Sequence, residues 1–257
     1  MYKVMLYCQL GGAIDMAEFA VKTAIKNSGL DKNEFDIIFI CWKTPKTSYE
    51  WLKDNNFKYE DMVYDEGKGF LWNLYKGWNY GYEIGFKYAD YVCPIATDHS
   101  FYKDWLKNLL AHCKENRIVN CKLIESPSIY ATLHVAEDLG PTIADKFNQD
   151  AFEKIAESIT QPGIAIDDIQ GLYHENRGFG GTYGHRLDAM PFVVAKDVWE
   201  RFGPMLQTEN KYGTTGDTDF FDRCRNGGVE IVKALDAISY HGGKGETIRN
   251  MSKGNYT

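Results

Sequence analysis

Tyr91-Val92-Cys93-Pro94-Ile95-Ala96-Thr97-Asp98-His99-Ser100 is an apolar run that ends abruptly in polar residues. A short unbroken apolar run is the mark of a strand covered on both faces, as in parallel sheets flanked by helices. In such sheets ligands bind beyond the carboxyl ends of the strands, which is where Asp98 and His99 fall. Upstream, Leu71–Lys87 reads as an aromatic-rich helix whose Gly77, Gly81 and Gly85 lie four residues apart on one face. Glycine weakens a helix, so a row of them predicts close backbone packing. Phe35–Trp42 (FDIIFICW) is a second buried strand, broken by Thr44-Pro45 and followed by a short helix over Ser48–Asn55. Lys3–Leu10 is a third, and Ile14, Ala17, Val21, Ala24 and Ile25 then recur at helical spacing until Asn27-Ser28-Gly29. Downstream, Phe101–Cys113 reads as a helix with Trp105, Leu106, Leu109 and Leu110 inward, and Arg117–Ile124 as a strand. This order predicts an α/β fold with a Rossmann-like, mainly parallel central sheet flanked by helices.

Residues 125–185 break the pattern. They combine a helix over Gln149–Ser158 with loops containing Pro127, Pro141 and Pro162, and a Gly-rich stretch from Gly178 to Gly184. Backbone N–H groups of such a stretch can cradle phosphate, but the P-loop Lys and Ser/Thr are missing, so a substrate loop or a plain connection is the simpler reading. Regular structure returns with a strand at Met190–Val194, a helix at Lys196–Phe202, a helix after Asp217, a strand at Val229–Ala234, and Ala237–Tyr240 leading to His241. No repeat or linker divides the 257 residues, which predicts one domain over 1–257 with 125–185 as an insertion.

The formal charge of −7 disfavours general binding to duplex nucleic acid. None of the six cysteines has C-x-x-C spacing, and Cys8, Cys41 and Cys93 lie in strand runs, as small buried hydrophobes in a reducing compartment do. There is no transmembrane segment and no tripartite signal pattern at the start, so the sequence predicts a cytoplasmic protein.

Three places carry chemical character: Thr97-Asp98-His99-Ser100 after a buried strand, Gly216-Asp217-Thr218-Asp219 before an amphipathic helix, and His241 after a strand. Carboxylate and imidazole together hold a divalent cation, and a positioned carboxylate serves as a general base. Asp98, His99 and His241 suit the first task, and Asp217 or Asp219 the second. Each has a plainer reading. Asp98 could cap a helix starting near Ser100, and Asp217 could also be an N-cap. Asp219 and Arg223 are spaced for an i,i+4 ion pair, and His241 could be a surface histidine.

Taken in order, these segments resemble the GT-A-fold glycosyltransferases, specifically the inverting family 2 type. The resemblance covers most of the chain and is weakest across 125–185. It rests on Lys3–Gly12 (KVMLYCQLGG), on Asn79-Tyr80-Gly81 and Ala89-Asp90-Tyr91-Val92, and on Thr97–Leu110 (TDHSFYKDWLKNLL) in place of the metal motif and its helix. Its most specific part is the succession of Met190–Met205 (MPFVVAKDVWERFGPM), Gly216–Gly228 (GDTDFFDRCRNGG) and Val229–Gly243 (VEIVKALDAISYHGG). The resemblance implies a metal-dependent transfer of a hexosyl or pentosyl group from a nucleotide-sugar donor to an acceptor hydroxyl, with inversion. It implies Mn2+ or Mg2+ as cofactor, Asp98 and His241 as metal ligands, with His99 a possible third, and Asp217 as the catalytic base. Asp219 and Arg223 belong to the same motif. Donor binding is expected at Gly11, Asp98 and Lys244; Lys244 and Arg249 could reach the diphosphate as a closing lid, and a frayed tail is the plainer reading of the same residues. The acceptor is open: a glycan, a protein, a small molecule or a modified nucleic-acid base. The chain departs from the family where Asp-x-Asp reads Asp98-His99-Ser100, where the first acid of the downstream motif is Gly216, and where Cys41–Thr47 (CWKTPKT) lacks the Asp that helps bind the base. Two other functions share the fold and the acidic residues: a nucleotidyltransferase, and a nucleotide- or sugar-binding module without turnover.

Overall fold

A computed structural model describes residues 1–11, 14–126, 134–135, 139–166, 190–209 and 215–242. Ten strands form one mixed sheet among them: β1 (Val4–Leu10), β2 (Phe35–Cys41), β3 (Lys58–Asp61), β4 (Tyr91–Ile95), β5 (His99–Phe101), β6 (Arg117–Glu125), β7 (His134–Val135), β8 (Ile164–Ile166), β9 (Phe192–Ala195) and β10 (Glu230–His241). The strand order is β3-β2-β1-β4-β9-β6-β10-β5, with β7 on β6 and β8 on β10. The helices are α1 (Ile14–Lys26), α2 (Lys46–Asp54), α3 (Phe70–Gly85), α4 (Trp105–Ala111), α5 (Gln149–Ile159), α6 (Lys196–Phe202) and α7 (Gly216–Asn226). The β3-β2-β1-β4 half is wholly parallel. Every antiparallel pairing involves β5, β8 or β9.

The apolar runs of β1 and β2 follow from burial on both faces. Val4, Leu6, Cys8 and Leu10 face one core with Phe35, Ile37, Phe39 and Cys41, under α1 and α4. Met5 and Tyr7 face the other with Ile38 and Ile40, under α3, α6 and α7. A third cluster seats α5 through Phe152 and Ala156 on Ile238 and Tyr240 of β10.

The glycine row of α3 does what its spacing predicts. A Cβ on Gly77 would lie 2.2 Å from the Gln9 side chain, on Gly81 2.4 Å from the Tyr7 ring, and on Gly85 2.8 Å from Val92. The helix therefore rests so closely against β1 and β4 that a Cβ at these positions would force Gln9, Tyr7 or Val92 to shift. All six cysteines are free, and all but Cys113 are buried. No described helix is long and apolar enough to cross a membrane.

One expected element is wrong. The helix read over Phe101–Cys113 spans only Trp105–Ala111, because His99–Phe101 is a strand. It pairs antiparallel with β10, Phe101 opposite Ser239 and His99 opposite His241. A partner so distant in sequence leaves no local periodicity to read. The two runs at Val229–Ala234 and Ala237–Tyr240 are likewise one strand, β10, with an irregularity between Ala234 and Ile238.

Candidate active site

The parallel half of the sheet brings its carboxyl ends together. Cys8 of β1 is in register with Ile95 of β4, and Leu10 with Cys41 of β2. Gly11, Trp42 and the Thr97-Asp98 turn therefore leave the same edge. The Thr44 hydroxyl donates to the Leu10 carbonyl, tying the loop after β2 to the end of β1.

Asp98 does not cap a helix, since α4 begins seven residues later and its N-cap position is Asp104. It sits instead in the short turn between β4 and β5. The β5–β10 pairing then sets His241 beside His99, ring centroids 4.8 Å apart and nearly parallel at 16°. The Asp98 carboxylate is shared between them. Its Oδ2 lies 3.2 Å from His241 Nε2 and its Oδ1 3.3 Å from His99 Nδ1. The Gly242 N–H donates to the Asp98 carbonyl at 2.9 Å, which locks the turn to the end of β10. Burial alone would raise the Asp98 carboxyl; His241 and then His99 outweigh it and hold the group well below the usual carboxylate range.

His99 carries further information. Its Nε2 lies 3.1 Å from the Met190 carbonyl, which can only accept, so the proton is on Nε2. Its Nδ1 faces the anionic Oδ1 of Asp98 across 3.3 Å. Nδ1 is sealed from water and makes no hydrogen bond. A buried ring nitrogen without a hydrogen bond, beside a buried carboxylate, is a place that a cation would satisfy. A ring nitrogen oriented by a backbone carbonyl at the opposite nitrogen is also how ligating histidines are held. The side chains do not form a cage: among the described residues no group of three or more His, Cys, Asp or Glu could hold a metal ion. A cation beside Asp98 and His99 would therefore have to take its remaining ligands from elsewhere, as divalent ions do when a substrate supplies them.

Asp217 occupies a different setting. The N-cap position of α7 is Thr215, so Asp217 lies inside the first turn. Three donors converge on its Oδ1: the Thr215 hydroxyl at 2.5 Å, the Tyr75 hydroxyl at 2.9 Å and the Thr218 N–H at 3.0 Å. Among the described residues nothing donates to Oδ2. Asp219 and Arg223 form the ion pair their spacing predicts, at 2.8 Å. Arg223 also reaches the carbonyls of Phe202 and Pro204, pinning α7 to the end of α6. Both face structural partners. Trp78 is core, and Trp72 lies partly exposed with Lys76 over its ring. Lys244, Arg249 and the Gly178–Gly184 stretch lie outside the described residues.

Tyr75, Thr215 and Met190 are the participants that sequence reading missed. The Tyr75 partner is 142 positions away, and no local pattern announces such a contact.

No protein-family model and no curated protein sequence matches the chain. Solved structures do. The crystal structure of GalNAc-T7 with UDP, GalNAc and Mn2+ matches over 94% of this chain and 44% of that one, with a TM-score of 0.58 and 8% identity. The crystal structure of S. aureus TarS 1-349 matches over 93% of this chain and 60% of that one, with a TM-score of 0.57 and 9% identity. This chain thus spans roughly half the length of either neighbour. The fold expected from the resemblance is the fold observed: the chain has a GT-A glycosyltransferase fold.

Proposed function

We propose that this chain is an inverting glycosyltransferase that moves a sugar from a nucleoside-diphosphate donor to an acceptor hydroxyl. The observation that carries the reading is the Asp217 carboxylate, with three donors on one oxygen and, among the described residues, none on the other. Asp217 Oδ2 takes the proton of the acceptor hydroxyl as its oxygen bonds to the anomeric carbon. The bond from that carbon to the diphosphate oxygen breaks on the opposite face, and the nucleoside diphosphate leaves. A single displacement of this kind inverts the anomeric centre.

Asp98 and His241, with His99 as the third ligand, would hold Mn2+ or Mg2+, which when bound neutralises the diphosphate charge. Gly11, at the end of β1, and Lys244 contribute to the donor site, and 125–185 shapes the acceptor site. The GalNAc-T7 neighbour was crystallised with UDP and Mn2+, which supports a uridine nucleotide as the first donor to try.

The test is thermal stabilisation by nucleoside diphosphates and nucleotide sugars, with and without Mn2+ or Mg2+. A ligand at about a hundred times its Kd adds roughly 2.7 kcal/mol. Stabilisation by one nucleoside diphosphate only in the presence of metal is the expected result. A panel in which nothing binds under any metal condition overturns the reading.

A further inference from the structure

Gly216 stands where the family resemblance leads one to expect an acid, and the fold shows what fills the space. A Cβ at Gly216 would lie 2.3 Å from the Leu206 carbonyl oxygen and 2.6 Å from the Tyr75 ring. The first turn of α7 is therefore pressed against α3, and only glycine admits the phenol there. Tyr75 is buried, and its ring packs edge-on against Trp78 at 5.7 Å. The glycine row that seats α3 on β1 begins two residues further on, at Gly77. The Tyr75 hydroxyl donates to Asp217 Oδ1 at 2.9 Å. Burial, and then the Asp217 carboxylate beside it, push the Tyr75 phenol above its ordinary value, so it stays protonated and donates. Thr215 supplies the second side-chain donor at 2.5 Å, and lies 2.9 Å from the Thr218 hydroxyl, which can donate to it in turn.

We infer that Tyr75, admitted by Gly216 and assisted by Thr215, is a positioning residue that fixes the Asp217 carboxylate by Oδ1 and aims Oδ2 at the acceptor hydroxyl. This rests on the reading of Asp217 as base. A carboxylate free to rotate about χ2 presents either oxygen in many directions. One held by three donors at a single oxygen presents the other in one direction, and small errors of aim cost large factors in rate. Tyr75 is tied to β1 through α3, so the alignment of the base is coupled to the strand whose end bears Gly11.

Two measurements test it. Hydrolysis of UDP-N-acetylgalactosamine and UDP-N-acetylglucosamine with Mn2+ is followed by UDP release for the full chain, Asp217→Asn and Tyr75→Phe. Tyr75→Phe keeps the ring and its packing while losing the donor. It is expected to lower kcat about tenfold or more, as loss of a hydrogen bond to a charged group does, with the donor KM within about twofold and melting temperature little changed. A Tyr75→Phe protein with full kcat, beside an inactive Asp217→Asn, overturns the positioning role and leaves the base assignment standing. Full activity of Asp217→Asn overturns the base assignment and the inference with it. The contact is also read without turnover. In protein labelled with 13Cζ-tyrosine, the Tyr75 resonance is assigned by its loss in Tyr75→Phe. It is expected to shift in Asp217→Ala, and an unmoved resonance overturns the inference whichever donor the protein uses.

Discussion

Asp98 and Asp217 are two carboxylates on one fold, and their surroundings differ in kind. Asp98 is buried, with an imidazole nitrogen near each oxygen. Asp217 is half-buried, and among the described residues its neutral donors all meet one oxygen. A carboxylate held among imidazoles keeps its charge in a place without water, and is suited to sit beside a cation. A carboxylate saturated at one oxygen by neutral donors keeps the other oxygen available to a proton. Environments that set two carboxylates apart are how one site assigns two roles to one residue type.

The sharpest way to break this comparison is to neutralise each carboxylate without changing its shape. Asp217→Asn is expected to lower transfer by a factor of roughly a hundred to ten thousand, the usual contribution of a general base. Nucleotide binding should persist, as read by an unchanged metal-dependent melting shift. If that shift disappears as well, Asp217 belongs to the donor site and the two carboxylates are not distinct. Asp98→Asn should give the reverse pattern. The metal-dependent part of nucleotide stabilisation is expected to fall, with affinity for the metal complex down roughly tenfold to a hundredfold. His99→Gln sharpens the result. Loss of metal-dependent stabilisation identifies His99 as a ligand, and retention makes it a packing residue tethered to Met190.

The positions of Asp98, Asp217 and His241 were legible because strands and helices that bury two-sided or amphipathic faces leave regular apolar spacing, and these three interrupt it at element ends. Their partners were not legible. Tyr75 looks like any aromatic in a core-facing helix, and its hydrogen bond crosses 142 positions. The β5 strand is three residues long, too short to show alternation, and its apolar Phe101 continues the helical spacing of Trp105 and Leu109. That coincidence extends the expected helix forwards and makes Asp98 look like a cap. The edge strand β3 has the burial of a surface segment, and Lys58–Asp61 carries no apolar run to betray it.

The glycine row of α3 was readable, and it offers the next prediction, because it supports the base end of the comparison without touching either carboxylate. Gly81→Ala places a methyl 2.4 Å from the Tyr7 ring, which is fully buried between α3 and β1. Better helix propensity contributes up to about 1 kcal/mol in favour of alanine. Overpacking a close-packed interface costs about 1–3 kcal/mol. The net effect is a lower melting temperature by a few degrees, measured by calorimetry. A higher melting temperature would show that Tyr7 moves aside freely, and that the helix is not held where the positioning of Tyr75 needs it.

The smallest effect belongs to the far end of β10, where the strand that carries His241 begins. Arg117 Nε and Nη2 donate to Glu230 Oε2 at 2.9 and 2.8 Å, and Lys114 lies 2.8 Å from the same oxygen. The pair joins the first residues of two neighbouring parallel strands. Lys114 first, then Arg117, hold the Glu230 carboxyl below its ordinary value. A depressed folded-state pKa means that the stabilisation is present above the unfolded value and is lost as pH falls through the folded one. Glu230 is about a third exposed and Lys114 more than half, so screening limits the pair to under about 1 kcal/mol. Glu230→Gln should therefore melt about 1–3 °C below the parent at pH 7. The two curves should converge in acid, below the ordinary glutamate range, while metal-dependent nucleotide binding is unaffected at pH 7. A change in that binding would mean that the two ends of β10 are coupled. The carboxyl end, with its shared Asp98, would then owe its geometry to charges at the start of the strand as well as to the β5 pairing beside it.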